Sequence, residues 1–303
     1  MKKGALAPPR GAVKHLLRTS LQFLLRRYPF YVGVMRVVNS GLVKWLTANP
    51  EMVTTTLRSG EAIVVDISDY CGRAIYFWGD YDPRVTRLCV NALEPGATML
   101  DIGANFGEVA LAAAGRVGPD GAVHAFEPNA KVASCLRQSA ELNGFKNMIV
   151  HEVALGADDG VGELRGPERS SGAASLLRAP NDGQRVQAVS HGHVTIREAG
   201  AYLQRVLQRS ISVLKIDVEG MEGPILESME AILRKDRPHL ICFESHSSPI
   251  LFHERGPVRC LSKLGYSFEQ IVIEATLRLK PKLVRVPPSG PVRNGYDFVA
   301  VLN

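Results

Sequence analysis

Met99-Leu-Asp101-Ile-Gly103-Ala-Asn105-Phe-Gly107-Glu-Val-Ala110 begins apolar, reaches an acid, turns through two glycines and an asparagine, and runs on into alanines. That order is a strand, a tight loop and a helix N-terminus, the place where an α/β sheet receives a ligand. Gly103 and Gly107 lack a Cβ, so the backbone there can bend sharply and approach a bound molecule. The first N–H groups of the helix have no internal partner and attract a carboxylate or phosphate. Asp101 offers the opposite charge to an ammonium or hydroxyl.

Two nucleotide chemistries use such a loop. The dinucleotide fingerprint is G-x-G-x-x-G, whereas this loop reads G-x-N-x-G and lacks the central glycine. The following strand, Val123 to Glu127, ends in an acid about twenty residues on, suited to ribose hydroxyls. That acid serves NAD and S-adenosylmethionine alike. The glycine pattern and Asp101 favour S-adenosylmethionine, which has an amino-acid tail and no pyrophosphate.

Outward from the loop, strands and helices alternate. Toward the N-terminus, Met52 to Leu57, Ala62 to Ile67 and Arg73 to Trp78 read as a β-meander. Gly79-Asp-Tyr-Asp-Pro83 opens a helix to about Leu93, and Trp78 and Tyr81 are candidates for a wall of the site. Toward the C-terminus come a helix from Ala130 to Leu142, stopped by Asn143-Gly144, and a strand from Met148 to Leu155. Residues 156 to 195 show weak periodicity, as a functional or mobile insertion does. His191 and His193 within it are too few for a metal site. A strand from Ser212 to Val218, a helix from near Gly220 to Arg234 and a strand from Leu240 to Glu244 follow. Ser267 to Ile273 and Tyr296 to Leu302 end the chain as an antiparallel edge hairpin. The alternation predicts a doubly wound parallel sheet with helices on both faces.

Composition bounds the rest. The 303 residues are 46% hydrophobic and 22% charged, as in a globular chain with a sizeable core. The net charge of +6 is a local property. Residues 1–50 hold nine bases and no acid, leaving 27 of the 36 bases against all 30 acids in the other 253 residues. Five scattered cysteines without a C-x-x-C pair indicate free thiols in a reducing compartment, hence a cytoplasmic location. From Val13 to Leu46 a basic amphipathic helix pair, broken near Pro29, is predicted. No apolar run there approaches the ~20 residues needed to span a bilayer. The arm would lie on an anionic membrane surface, or pack on the body or a second subunit; its Arg-rich, acid-free composition also suits a transit peptide.

Five motifs together resemble the FkbM family of S-adenosylmethionine-dependent methyltransferases. They are Asp101-Ile-Gly-Ala-Asn-Phe-Gly107, Ala125-Phe-Glu-Pro128, Glu141-Leu-Asn-Gly144, Ala154-Leu-Gly156 and Leu214-Lys-Ile-Asp-Val-Glu-Gly220. Thr195-Ile-Arg-Glu198 departs from the family's usual Leu-Asp pair. The resemblance implies a seven-stranded class I methyltransferase (Rossmann-like) sheet with the edge hairpin. It implies O-methylation of a hydroxyl on a sugar, glycan, glycolipid or polyketide. Before that domain, taken as residues 97–303, stand the arm (1–50) and the meander with its helix (51–96).

On this reading the cofactor is held by Asp101, Gly103, Asn105, Gly107, Glu127, Ala154 and Leu155. Asp217 is the base, assisted by Glu219, with Lys215 tuning a carboxylate; Glu244 and His246 are second choices. The alternative for Asp217 and Glu219 is that they only cap the following helix. Asp217, Glu219 and Glu244 could hold Mg²⁺, but nothing beyond these acids argues for a metal, and none is expected. An NAD-dependent oxidoreductase and a scaffold without turnover are the competing classes. Nucleic acid is disfavoured, because an Asn/Asp-Pro-Pro-aromatic motif does not follow the fourth strand.

Overall fold

A computed structural model describes residues 10–28, 33–176, 188–245, 251–272, 281–286, 292 and 296–302. The arm is three helices, α1 (Arg10–Arg27), α2 (Val34–Val38) and α3 (Gly41–Leu46), while Pro29 lies outside the described residues. A hairpin of β1 (Met52–Thr56) and β2 (Ala62–Asp66) follows, then α4 (Tyr70–Trp78) and α5 (Pro83–Asn91). The third meander strand predicted at Arg73–Trp78 is therefore helical. Its aromatic and branched residues read as strand because eight of nine α4 residues are buried, leaving no polar face to reveal the period. Local capping decides it: Asp69 accepts from Cys71 N and Gly72 N, and Gly79 ends the helix at φ 97°.

The central layer begins with β3 (Thr98–Ile102), α6 (Glu108–Val117), β4 (Ala122–Phe126), α7 (Ala130–Leu142) and β5 (Met148–His151). Next come β6 (Ala154–Gly156), β7 (Gly160–Pro167), β8 (Ala188–Glu198), α8 (Ala199–Val206) and β9 (Val213–Ile216). The chain closes with α9 (Glu222–Ser228), α10 (Glu230–Asp236), β10 (Leu240–Glu244), α11 (Gly256–Lys263), β11 (Tyr266–Val272), β12 (Lys282–Arg285) and β13 (Asp297–Leu302).

The main sheet has eight strands in the order β12-β11-β13-β10-β9-β3-β4-β5, rather than the seven predicted. The five strands from β10 to β5 are parallel; β13, β11 and β12 are antiparallel to their neighbours. β12 is the extra strand, so the edge is three strands deep instead of a hairpin. Its half-exposed Lys282–Arg285 lacks the apolar run that marks an inner strand. The single strand predicted over Met148–Leu155 is two, β5 in the main sheet and β6 in a second sheet of order β6-β8-β7. That second sheet occupies the stretch read as a weakly periodic insertion. The helix predicted to Arg234 is likewise two, α9 and α10.

β3 is wholly buried, and β9 flanks it on one side and β4 on the other. The strand order reverses there, with β3 and β9 adjacent and their C-terminal ends splayed into a crevice. The hairpin packs on α7 through side-chain bonds: Val64 N donates to Ser139 Oγ at 2.9 Å and Ala62 N to Asn143 Oδ1 at 2.8 Å. Ser139 is 0% exposed, so Ser139→Ala would leave the Val64 N–H without a partner. The expected cost is roughly 1–3 kcal/mol, read as a lower urea midpoint at unchanged m-value. An unaltered midpoint would show that the hairpin is not held by this bond.

Candidate active site

The loop after β3 is built by sign-specific backbone angles. Gly103, Asn105 and Gly107 have φ of 80°, 50° and 94°, and Gly103 N and Ala104 N both donate to Phe126 O at 3.0 Å. A Cβ on Gly103 would strike the Asp217 carbonyl oxygen, and one on Gly107 would strike Leu136. Only glycine allows this loop to sit between β9 and α7. Beside it lies a cavity of about 310 Å³. Gly103, Asn105, Gly107, Phe126, Glu127, Ala154 and Leu155 line one part; Tyr81, Lys215, Asp217, Glu219 and Glu244 line another.

Glu127 is only 8% exposed and accepts from Asn105 N at 2.9 Å and Asn129 N at 2.8 Å. Burial pushes its carboxyl up to about 7, against the pull of those two amides. Each oxygen keeps a lone pair for a ribose hydroxyl. Ala154 and Leu155 with Phe126 and Val153 make the apolar wall that a flat base needs. The parts fit S-adenosylmethionine: a glycine cradle for the amino-acid end, an acid for the ribose, an apolar slot for adenine.

Asp101 has a different place from the one predicted. It is 0% exposed and does not line the cavity. Its Oδ1 stands 3.2 Å from Lys215 Nζ, which also donates to Gly103 O at 2.7 Å and lies 3.8 Å from Asp217 Oδ2. Burial opposes the Lys215 charge, but Asp101 and then Asp217 outweigh it and raise its pKa. The lysine is thus a fixed cation tying the cofactor loop to β3 and β9.

Asp217 sits past the end of β9 with its side chain half exposed. Glu219, one turn on, holds a left-handed φ of 53°, costing on the order of 1–2 kcal/mol for a residue with a Cβ. Single ligand atoms of Asp217, Glu219 and Glu244 all lie within 4.8 Å of one another. Burial, then Asp217 and Glu219, push Glu244 up to about 10, so it holds a proton at neutral pH. No side chain caps α9; instead Glu222 accepts from Val218 N and Gly220 N. Asp217 and Glu219 therefore do not cap that helix. The three acids are also the only group among the described residues able to hold a metal ion. His246 lies outside the described residues.

Sequence reasoning missed Glu108, Arg84, Asp297 and Ser171. Glu108, the first residue of α6, accepts from Tyr81 N at 2.8 Å, Asp82 N at 3.3 Å and Thr86 Oγ1 at 3.1 Å. Burial, then Asp80, push it up to about 8. It draws the Gly79–Pro83 segment onto the glycine loop and so sets Tyr81 in the cavity wall, whereas Trp78 is pure core. Arg84 bridges Asp82 at 2.5 Å and Asp297 at 2.9 Å, closing the wall between α5 and β13. Ser171 donates to Asn105 Oδ1 at 3.0 Å, and its N–H to Asp69 at 2.6 Å. Glu108 was legible as the acid next to the loop; the others are brought together only by the sheet.

A glycine loop, the buried Glu127 and an acidic wall stand together at the switch point of a parallel sheet, the place where α/β enzymes receive a nucleotide cofactor. A family model described as the methyltransferase FkbM domain matches residues 101–270, and the chain belongs to that family. Membership removes the oxidoreductase alternative. No curated protein matches the chain. Among solved structures it is similar to an FkbM methyltransferase from Methylobacillus flagellatus, at 14% identity over 69% of this chain and 44% of that one, TM-score 0.40. It is also similar to a SAM-dependent methyltransferase from Agrobacterium tumefaciens, at 10% identity over 83% of this chain and 70% of that one, TM-score 0.43. An O-methyltransferase from Bacillus cereus in complex with SAH aligns at 14% identity over 74% of this chain and 83% of that one, TM-score 0.40.

The raised carboxyls have a stability consequence. Between the ordinary glutamate value of 4.5 and about 10, the folded chain keeps a proton on Glu244 that the unfolded chain has lost, so stability falls as pH rises through that window. Glu127 and Glu108 act alike, up to about 7 and about 8. Thermal unfolding of the ligand-free protein should give a Tm that declines from pH 5 to 9, with a shallower decline above pH 8 in Glu244→Gln. A Tm that climbs with pH would contradict the protonated Glu244.

Proposed function

We propose that this chain is an S-adenosylmethionine-dependent O-methyltransferase whose acceptor is a hydroxyl of a sugar, glycan, glycolipid or polyketide-type molecule, with Asp217 as the base. The observation that carries the reading is the juxtaposition of the cofactor-shaped wall and the three acids in one cavity. S-Adenosylmethionine, when bound, supplies an electrophilic methyl group on a sulfonium; the chain's residues do the rest.

Glu244, protonated, donates to Asp217. Asp217 is the acid with solvent access and a cation 3.8 Å away at Lys215 Nζ. It is placed to accept the acceptor hydroxyl's proton, while Glu219 would receive a second hydroxyl. A base in this position is worth about 10²–10⁴-fold, and the remaining acceleration comes from positioning. A wall of carboxylates suits a polyol and repels a phosphodiester, which disfavours nucleic acid. No metal is needed on this reading, since Lys215 supplies the positive charge.

Three experiments test it. Calorimetric titration with S-adenosylmethionine, S-adenosylhomocysteine and NAD⁺ should show binding of the two sulfur ligands only. Affinity should fall as pH drops below about 7, where Glu127 gains its proton, and Glu127→Ala should weaken binding at every pH. Asp217→Asn should keep cofactor affinity and lose about 10²–10⁴-fold in kcat once an acceptor is in hand. Full turnover in Asp217→Asn would end its role as base. EDTA should leave turnover intact; loss restored by Mg²⁺ would make the three acids a metal site instead.

A further inference from the structure

Helix α1 is mounted on the protein by a mixed side, Arg18, Gln22 and Arg26 together with the buried Leu25 and the partly buried Leu21. Arg18, 9% exposed, binds Glu51 through both terminal nitrogens, at 2.5 and 2.8 Å. Gln22 donates to Tyr76 O at 3.0 Å, and Arg26 donates to Ile75 O and Tyr76 O at 3.0 Å and to Thr56 O at 2.5 Å. The Ile75 and Tyr76 carbonyls belong to the last turn of α4, where Ile75 O also accepts from Gly79 N at 2.8 Å, and the Thr56 carbonyl ends β1, so Arg26 ties α1 to both elements. These bonds fix which side of α1 faces inward.

The opposite side is apolar and open. Val13, Leu16 and Leu17, and seven residues on Phe23 and Leu24, fall on one side of the helix with Ser20 between them, with Leu16 65% and Leu24 63% exposed. Trp45 of α3, 54% exposed, continues the stripe, since Lys14 Nζ stands 5.2 Å from its ring centroid. Of the 17 exposed large hydrophobic side chains among the described residues, nine fall between Val13 and Trp45. Such a patch marks an interaction surface.

Charge selects the occupant. Lys14 and Arg27 lie over Trp45 and Phe23 as rim bases, α2 and α3 add the exposed Arg36 and Lys44, and residues 1–50 contain no acid. A second copy would bring the same bases against these and gain no counter-charge. An anionic bilayer supplies both an apolar layer and negative headgroups, and a tryptophan beside a lysine suits the headgroup level. No helix among the described residues is long and apolar enough to cross a membrane. We propose that α1 and α3 form an interfacial docking surface for anionic lipid, with the stripe of Leu16, Leu17, Phe23, Leu24 and Trp45 inserted and the rim bases on the headgroups. This inference stands apart from the methyl-transfer reading, because it uses no residue of the cavity.

The test is co-sedimentation of the full chain with vesicles of phosphatidylcholine alone or mixed with phosphatidylglycerol, alongside tryptophan emission. Trp78 is 0% exposed and stays constant, so a blue shift reports Trp45. Binding is expected to the mixed vesicles only, to weaken with added salt, and to shift the emission. Arg27→Gln should weaken it about fivefold, the effect of one base near an anionic surface. Leu17→Glu/Leu24→Glu should abolish it while the melting curve by circular dichroism stays as in the parent chain. Three results would overturn the proposal. They are no binding to the mixed vesicles, binding that survives Leu17→Glu/Leu24→Glu, or a dimer by ultracentrifugation that this variant makes monomeric. Should that variant melt early, Arg27→Gln/Arg36→Gln/Lys44→Gln, altered only at exposed bases, decides by the same salt-dependent assay.

Discussion

A single buried ammonium organises the centre of this molecule. Lys215 Nζ reaches the Gly103 carbonyl of the cofactor loop, Asp101 at the end of β3, and Asp217 beyond β9. A cation taken out of water must be met by counter-charge and hydrogen bonds, and here three chain segments converge to supply them. The same convergence forbids a Cβ at Gly103, whose α-carbon presses on the Asp217 carbonyl. Loop and acidic wall are therefore one rigid unit, and a disturbance at any of these positions reaches both halves of the cavity.

Around that unit the protein concentrates carboxyl groups that burial drives toward protonation. Glu127, Glu108, Glu244 and Asp297 are all raised, to about 7, 8, 10 and 6. Ordinary packing would dilute such a cluster, since like charges at short range destabilise the folded state. Asn105 and Glu219, two of the three non-glycine residues with positive φ among the described residues, add backbone strain at the same place. Strain and repulsion concentrated in one cavity mark a site shaped for chemistry at some expense of stability.

The loop, the ribose acid and the acids after β9 were legible in the sequence because each is local. A glycine at a forced positive φ, or an acid that ends an apolar run, leaves its signature within a few residues. The alternation from β3 to β10 was legible for the same reason, and motif order sufficed to reach the family. Strand β12 and helix α4 were not. One is a short edge strand without an apolar run, and the other is buried all round, so neither displays the period that identifies its type.

Tertiary structure alone decided how the parts meet. Asp101 reads in sequence as a ligand-facing acid, yet the packing of β9 against β3 turns it beneath the loop to hold Lys215. Arg84 meets Asp297 across 213 positions, and Ser171 meets Asn105 across 66, separations over which no periodicity carries information. Helix α1 shows the limit most plainly. Its sequence leaves open which side faces the body, and that was set by the carbonyls of Ile75, Tyr76 and Thr56, by Glu51 and by the core that takes Leu25. Sequence determines which side chains are available and the local backbone they favour; the fold decides which of them share a dielectric environment, and there charge and chemistry are settled.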